Sequence, residues 1–150
     1  MTETEIFAEP YGRVLVDEAV PCVFIQWLAF ASRTEFVALQ HTALRYLEDH
    51  ATPARPWGMV ADVRLMGAIP AEVQVWLVHE FNPRAYAAGL REVSVVPAEN
   101  VFGQLATQRY IRESDLEGGA VPLRTVLYPT LEAAFEGARQ ALAAENRLTG

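Results

Sequence analysis

The sequence predicts an α/β fold: one domain over residues 1–150, a mixed β-sheet with flanking helices, elements in the order βββαβαβαβα. Three observations predict it. Short runs rich in β-branched and aromatic residues come first, at 5–8, 13–17 and 22–28, ahead of any stretch with a helical period. Beyond residue 32, stretches with apolar residues three and four apart alternate with short apolar runs at 58–62, 92–96 and 124–128. A chain of 150 residues is also the size of one domain and long enough to bury a full core. Residues 1–4 and 146–150 read as frayed tails.

The elements follow in order. Pro10-Tyr11-Gly12 marks a turn between the first two strands. The third, CVFIQWL at 22–28, is apolar on both faces, so it belongs inside the sheet with cover on each side. Ser32-Arg-Thr-Glu35 is a capping box, in which the serine hydroxyl and the glutamate carboxylate each accept a hydrogen bond from the other residue's amide. Phe36, Leu39, Ala43 and Leu47 then repeat at helical spacing, to about Asp49, and Pro53 and Pro56 punctuate the connection to the fourth strand. Pro70 suits the first turn of the second helix, where a missing amide costs nothing. Asn82-Pro83 should end or kink that helix, with a short further helix stopping at Gly89. Asn100 can cap a helix to about Ile111, and residues 113–119 read as a loop. Thr130 caps the last helix, whose buried side is Leu131, Ala134, Phe135, Ala138 and Leu142.

Composition excludes several functions. The formal net charge is −7 and no basic stripe is visible, so nucleic acid is not an expected partner. All 12 basic residues are arginine, which removes Schiff-base, pyridoxal-phosphate and phosphate-loop lysines from consideration. Cys22 is the one cysteine, so an intrachain disulfide or a cysteine-based zinc site cannot form, and its apolar setting reads as core. No apolar run approaches the roughly 20 residues of a membrane helix, and the acidic N-terminus lacks the basic start of a signal peptide. The expected location is therefore cytoplasmic. His41, His50 and His79 have no metal-ligand spacing, Ser32, Ser94 and Ser114 lack a nucleophile elbow, and the glycines form no dinucleotide fingerprint. Neither a metal nor a cofactor is expected.

The segment 57–97 is the most informative. It carries Ala61-Asp-Val-Arg-Leu-Met-Gly67, Phe81-Asn-Pro-Arg-Ala85 with Ala88-Gly89, and Val96-Pro97 followed by Asn100-Val-Phe-Gly103. With this element order, these residues resemble the STAS-like domains, the SpoIIAA-like fold of anti-sigma-factor antagonists, and among them a group of bacterial proteins labelled STAS/SEC14-like. The resemblance implies a non-enzymatic regulatory module. In the antagonists a kinase phosphorylates a serine in the loop after the fourth strand, at a helix N-terminus, and the added charge breaks the partner interface. This chain departs there, for no Ser, Thr or Tyr occurs between Pro53 and Ala85.

The candidate site residues are Asp62, Arg64, Met66, Gly67, Trp76, Glu80 and Arg84. Asp62 and Arg64 stand at a strand end, where α/β sheets place ligands. They read either as an anion- or polar-ligand site or as a loop cap with a structural ion pair. Gly67 serves backbone geometry. The helix at 70–81 is apolar all round, which predicts either deep burial or a second apolar contact. Glu80 falls on its Val73–Trp76–Leu77 stripe, with Arg84 as the local partner and a buried Glu80–Arg64–Asp62 cluster as the long-range alternative. These features support a protein-interaction module, a homodimer or a member of a regulatory complex, with helix 70–81 as the contact. The alternatives are a module binding a small apolar, lipid-like or anionic ligand in a pocket near Arg64 and Trp76, and an enzyme using Asp62, Arg64 and Glu80.

Overall fold

The computed structural model describes residues 3–66, 69–97 and 121–149. The helix expected after Asn100, the loop at 113–119, Gly67 and Gly150 lie outside the described residues. Strands β1 (Glu3–Glu9), β2 (Gly12–Asp17) and β3 (Cys22–Trp27) form an antiparallel meander. Helix α1 (Arg33–His50) leads to β4 (Trp57–Asp62), which pairs parallel to β3. Helix α2 (Ala71–Trp76), a π turn (Leu77–Phe81) and α3 (Asn82–Ala88) then lead to β5 (Leu90–Val96). Strand β6 (Arg124–Leu127) and α4 (Leu131–Thr149) close the fold. The six strands lie side by side in chain order, with β3 to β6 parallel.

Side chains alternate across this sheet, so each strand feeds two apolar layers. Val14, Val23, Ile25, Met59 and Val93 pack with α1, α2 and α3 on one face. The Trp27 ring stacks on Phe36 of α1 at 4.5 Å and 8°. On the other face Leu15, Cys22, Phe24 and Val60 meet Ala134 and Ala138 of α4, and Phe24 meets the edge of Phe135 at 5.2 Å. Leu131, Phe135 and Leu142 are half-buried around that contact. Burial pushes the Cys22 thiol up to about 12, as suits an inert core residue. The same layer holds a buried polar cluster, in which the Ser94 hydroxyl (3.1 Å) and the Tyr128 hydroxyl (3.2 Å) both donate to the Glu92 carboxylate. Gly137 makes room for it, because a Cβ there would overlap the Tyr128 hydroxyl.

Local signals hold where their partners are local. The Glu35 amide donates to Ser32 Oγ at 3.2 Å and the Ser32 amide to Glu35 Oε1 at 2.9 Å, completing the capping box. Thr130 Oγ1 accepts from the Ala133 amide at 3.1 Å at the start of α4. At the N-terminal end Glu3 and Thr4 pair with Asp17 and Val16. Likewise, the backbone of α4 is helical to Thr149. Pro70 is the N-cap of α2, not its first helical residue, and its carbonyl accepts from the Val73 and Gln74 amides.

At Asn82-Pro83 the expected short further helix starts, and it stops at Gly89. Proline has no amide to give and its ring crowds the carbonyl four residues back. Here the chain widens by one residue over Leu77–Phe81, and the Asn82 amide bonds the Leu77 carbonyl, so helical backbone continues to Ala88. The wider turn also rotates its own side chains about the helix axis. It sets Phe81 on the buried line of Val73 and Leu77 and leaves Glu80 exposed, where a regular helix would have placed Glu80 on that line.

Candidate functional site

Asp62 ends β4 with its side chain on the α4 face, 3% exposed. Its Oδ1 accepts from the Arg64 amide (3.1 Å) and from Arg64 Nε (2.9 Å). Its Oδ2 accepts from Arg64 Nη2 (2.9 Å) and from Gln26 Nε2 (3.0 Å). The contact with Arg64 is thus bidentate and the loop turns back on its own strand. Gln26 is the register partner of Asp62 on β3, and Arg13 the register partner of Gln26 on β2. Arg13 Nε donates to Gln26 Oε1 at 2.7 Å, and Arg13 Nη1 lies 3.7 Å from Glu5 of β1. A polar ladder therefore runs across four strands on one face of the sheet, Glu5–Arg13–Gln26–Asp62–Arg64. The outer ion pair is solvent-exposed and contributes little. The inner rungs are charge-assisted and carry most of the energy.

Burial raises the Asp62 carboxyl, but the hydrogen bonds from Arg64 and Gln26 outweigh it and hold the group below its usual range. Four hydrogen bonds also fill the lone-pair positions of the carboxylate, which leaves none from which to take a substrate proton. Because the folded-state pKa is depressed, Asp62 adds stability above its unfolded value of about 3.9, and that stability is lost as pH falls through the folded value. Asp62→Asn turns one acceptor into a donor facing Arg64 and Gln26. It is expected to cost about 2 kcal/mol at neutral pH. It should also flatten the acid limb of stability against pH, read by urea denaturation between about pH 2 and 7.

The other candidate residues separate. Met66 is buried in the wall of a cavity behind the loop, and its amide bonds the Val63 carbonyl at 3.2 Å. Trp76 is half-buried, its ring 5.9 Å from that of Phe81. Glu80 is exposed, and among the described residues no ion pair joins it to Arg64 or Asp62, so the expected three-residue cluster does not form. Nor is Arg84 the partner of Glu80: its guanidinium grips Glu48 of α1 at 2.9 and 3.1 Å and ties α3 to α1. The cavity, about 70 Å³, lies between the sheet and the α1–α2 layer, and its described wall includes neither Arg64 nor Trp76.

Residues not singled out from the sequence also matter. Gln26 and Gln40 each interrupt an apolar pattern, and that interruption was the available signal. Phe30, 60% exposed, leaves the end of β3, and Leu65, 58% exposed, leaves the end of the adjacent β4. Val75 of α2 is 54% exposed. Phe30 and Leu65 are therefore presented past the carboxyl ends of β3 and β4, where Arg64 is half-exposed. Among the described residues no helix is long and apolar enough to cross a membrane.

No protein-family model matches the chain, and no curated protein matches it. Among solved structures it is similar to an anti-sigma factor antagonist from Mycobacterium paratuberculosis, with a TM-score of 0.51 and 19% identity over 89% of this chain and 99% of that one. At that identity the likeness establishes architecture: this chain has the STAS-like fold, a mixed six-stranded sheet with flanking helices.

Proposed function

We propose that this chain is a non-enzymatic protein-interaction module that meets a second copy of itself or a regulatory partner through the carboxyl edge of β3 and β4. The observation that carries the reading is the pair of exposed apolar side chains there, Phe30 and Leu65. Apolar patches on a protein surface mark contact sites. The fold supports the same class, since the similar structure is that of a protein named for acting on another protein. The filled Asp62 carboxylate argues against acid–base chemistry in this loop. Helix 70–81 turns most of its apolar residues inward, so the loops carry the contact. Any control of it works without the serine switch, because the loop after β4 has no hydroxyl to phosphorylate.

The test is association with and without the patch. Sedimentation velocity over a concentration series is expected to show reversible dimerisation. The pair Phe30→Glu and Leu65→Glu should weaken it by at least about 100-fold. Both positions are exposed, so the melting temperature should hold, at a cost within roughly 0.5 kcal/mol each. A wild-type chain that stays monomeric at millimolar concentration, and captures no protein that the double variant fails to capture, overturns the reading.

A further inference from the structure

Strand β1 is an edge of the sheet: among the described residues no strand pairs on its outer side. Alternate residues of an antiparallel edge turn backbone N–H and C=O groups outward, unused by the ladder. The two faces of β1 differ. On the α4 face stand the exposed Glu3 and Glu5, register partners of Asp17 and Leu15. Towards the α1 layer Ile6 and Phe7 pack, half-buried, against the apolar core. Helix α4 lies over β4 and β5. Between α4 and β1 an open groove of about 410 Å³ remains, walled by Glu3 and Asp17 of the sheet and Glu132, Glu136 and Arg139 of the helix. Arg139 is engaged with Glu136, and among the described residues no cation pairs with Glu3, Asp17 or Glu132. Glu3 and Asp17 face each other across the strand pair, where like charges destabilise a sheet. Asp17 is 6% exposed, with the Ala19 amide on its Oδ1 at 2.9 Å, so salt screens its charge poorly.

From this arrangement we infer that β1 is a docking edge for an extended basic peptide, in which arginine or lysine alternates with a β-branched residue, added to the sheet as a further strand. The backbone supplies the attachment, since strand addition satisfies the outward N–H and C=O groups. Charge sets the class. The basic side chains fall on the α4 face beside Glu3 and Glu5. One of them reaches the groove, its stem over Val20 and Phe135 and its head among the carboxylates. The pleat sets the alternation, because the residues between point towards Ile6 and Phe7, which have apolar surface left to cover. Edges are guarded against chance pairing by charge and by bulges, and β1 has both, with a register shift between Glu5 and Phe7. That guard rejects a second copy, which would bring its own Glu3, Glu5 and Glu9 against these on a chain of net charge −7. A basic strand meets attraction instead. Asp17 pairs with Cys22 and Cys22 with Gly58, so the groove lies at the amino ends of β3 and β4. Phe30 and Leu65 leave the other ends, and the inference does not rest on the interaction surface proposed above.

The test is a titration of the full chain with the peptide acetyl-RVRVRV-amide at low ionic strength, followed on the backbone amide resonances. The amides of Glu3–Glu9 should shift along a saturable curve, and their hydrogen exchange should slow. The fully N-methylated peptide keeps the charge but has no amide donor between its residues, and should bind at least about tenfold more weakly. Glu3→Lys combined with Glu132→Lys should also weaken binding about tenfold. Both positions are exposed and the change at Glu3 relieves the repulsion from Asp17, so the melting temperature should hold. The Phe30→Glu, Leu65→Glu chain should bind the peptide as the wild type does, which separates this edge from the interaction surface whatever that variant does to dimerisation. Five results overturn the inference: β1 amides that do not respond to about 1 mM peptide; an N-methylated peptide that binds as tightly, which is adsorption by charge alone; a folded charge-reversed chain that binds as tightly; loss of peptide binding in the Phe30→Glu, Leu65→Glu chain; or β1 amides already protected by a second copy before any peptide is added.

Discussion

Phe81→Ala is expected to cost about 3–5 kcal/mol and to lower the melting temperature by roughly 10 °C. The ring is 2% exposed, packs beside Trp76 and forms part of the cavity wall. Truncation removes buried area and also merges a new void with one already there. The neighbours are fixed by the sheet below and by α1 above, so they close in only partly, which places the site at the costly end of large-to-small substitutions. Phe81 also sits in the π turn that carries the helix past Pro83, so the missing contact falls on the least regular part of that backbone. Urea denaturation checks the value; an unchanged slope with a lower midpoint would show a loss of stability without a change in the surface exposed on unfolding. A cost under 1 kcal/mol would mean that the π turn repacks and that Phe81 is not what anchors it.

Gly89→Ala is expected to cost about 3 kcal/mol, from two causes that add. Gly89 ends α3 with φ at 124°, a conformation that an L side chain rarely adopts. An added Cβ would also lie 2.5 Å from the carbonyl oxygen of Thr52, in the connection between α1 and β4. That oxygen belongs to backbone and already accepts from the Arg55 amide at 2.9 Å, so it cannot swing aside as a side chain would. The control is Gly58→Ala, where the nearest atom to a new Cβ is the Ala138 methyl at an ordinary 3.4 Å; this change should lie within about 1 kcal/mol of wild type. Thermal denaturation of the two variants side by side gives the comparison.

How much of this was legible in the sequence depends on the range of the interaction. The capping box, the Thr130 cap and the Gly89 stop are contacts within a few residues, and both partners can be read together. The strands were legible as apolar runs, and the inner position of β3 followed from its having no polar face. Asp62 and Arg64 are two apart, so their pairing was within reach, whereas Gln26, 36 residues from Asp62, was not. Helical periodicity assumes a constant turn, and the π turn breaks that assumption at Glu80. Arg84 had a plausible partner four residues away and took one 36 residues away instead, because α1 and α3 pack together. Gln40 was visible as a polar residue on an apolar stripe, but only the folded chain shows the space beside it.

The polar ladder acts as a parity check on strand assembly. Slide β3 by one residue against β4 and Gln26 leaves Asp62 to enter the layer of Trp27 and Met59, where an amide has nothing to bond. Slide it by two and the side chains return to the correct face, but the rung opposite Asp62 is now apolar Phe24 or lies beyond the strand end. An apolar sheet with both faces covered punishes neither error strongly by itself, since valine and isoleucine are nearly interchangeable between neighbouring positions. Arg13, Gln26 and Asp62 together reject both, and the neatness of their register matters more to the choice of one structure than the few kcal/mol their bonds contribute.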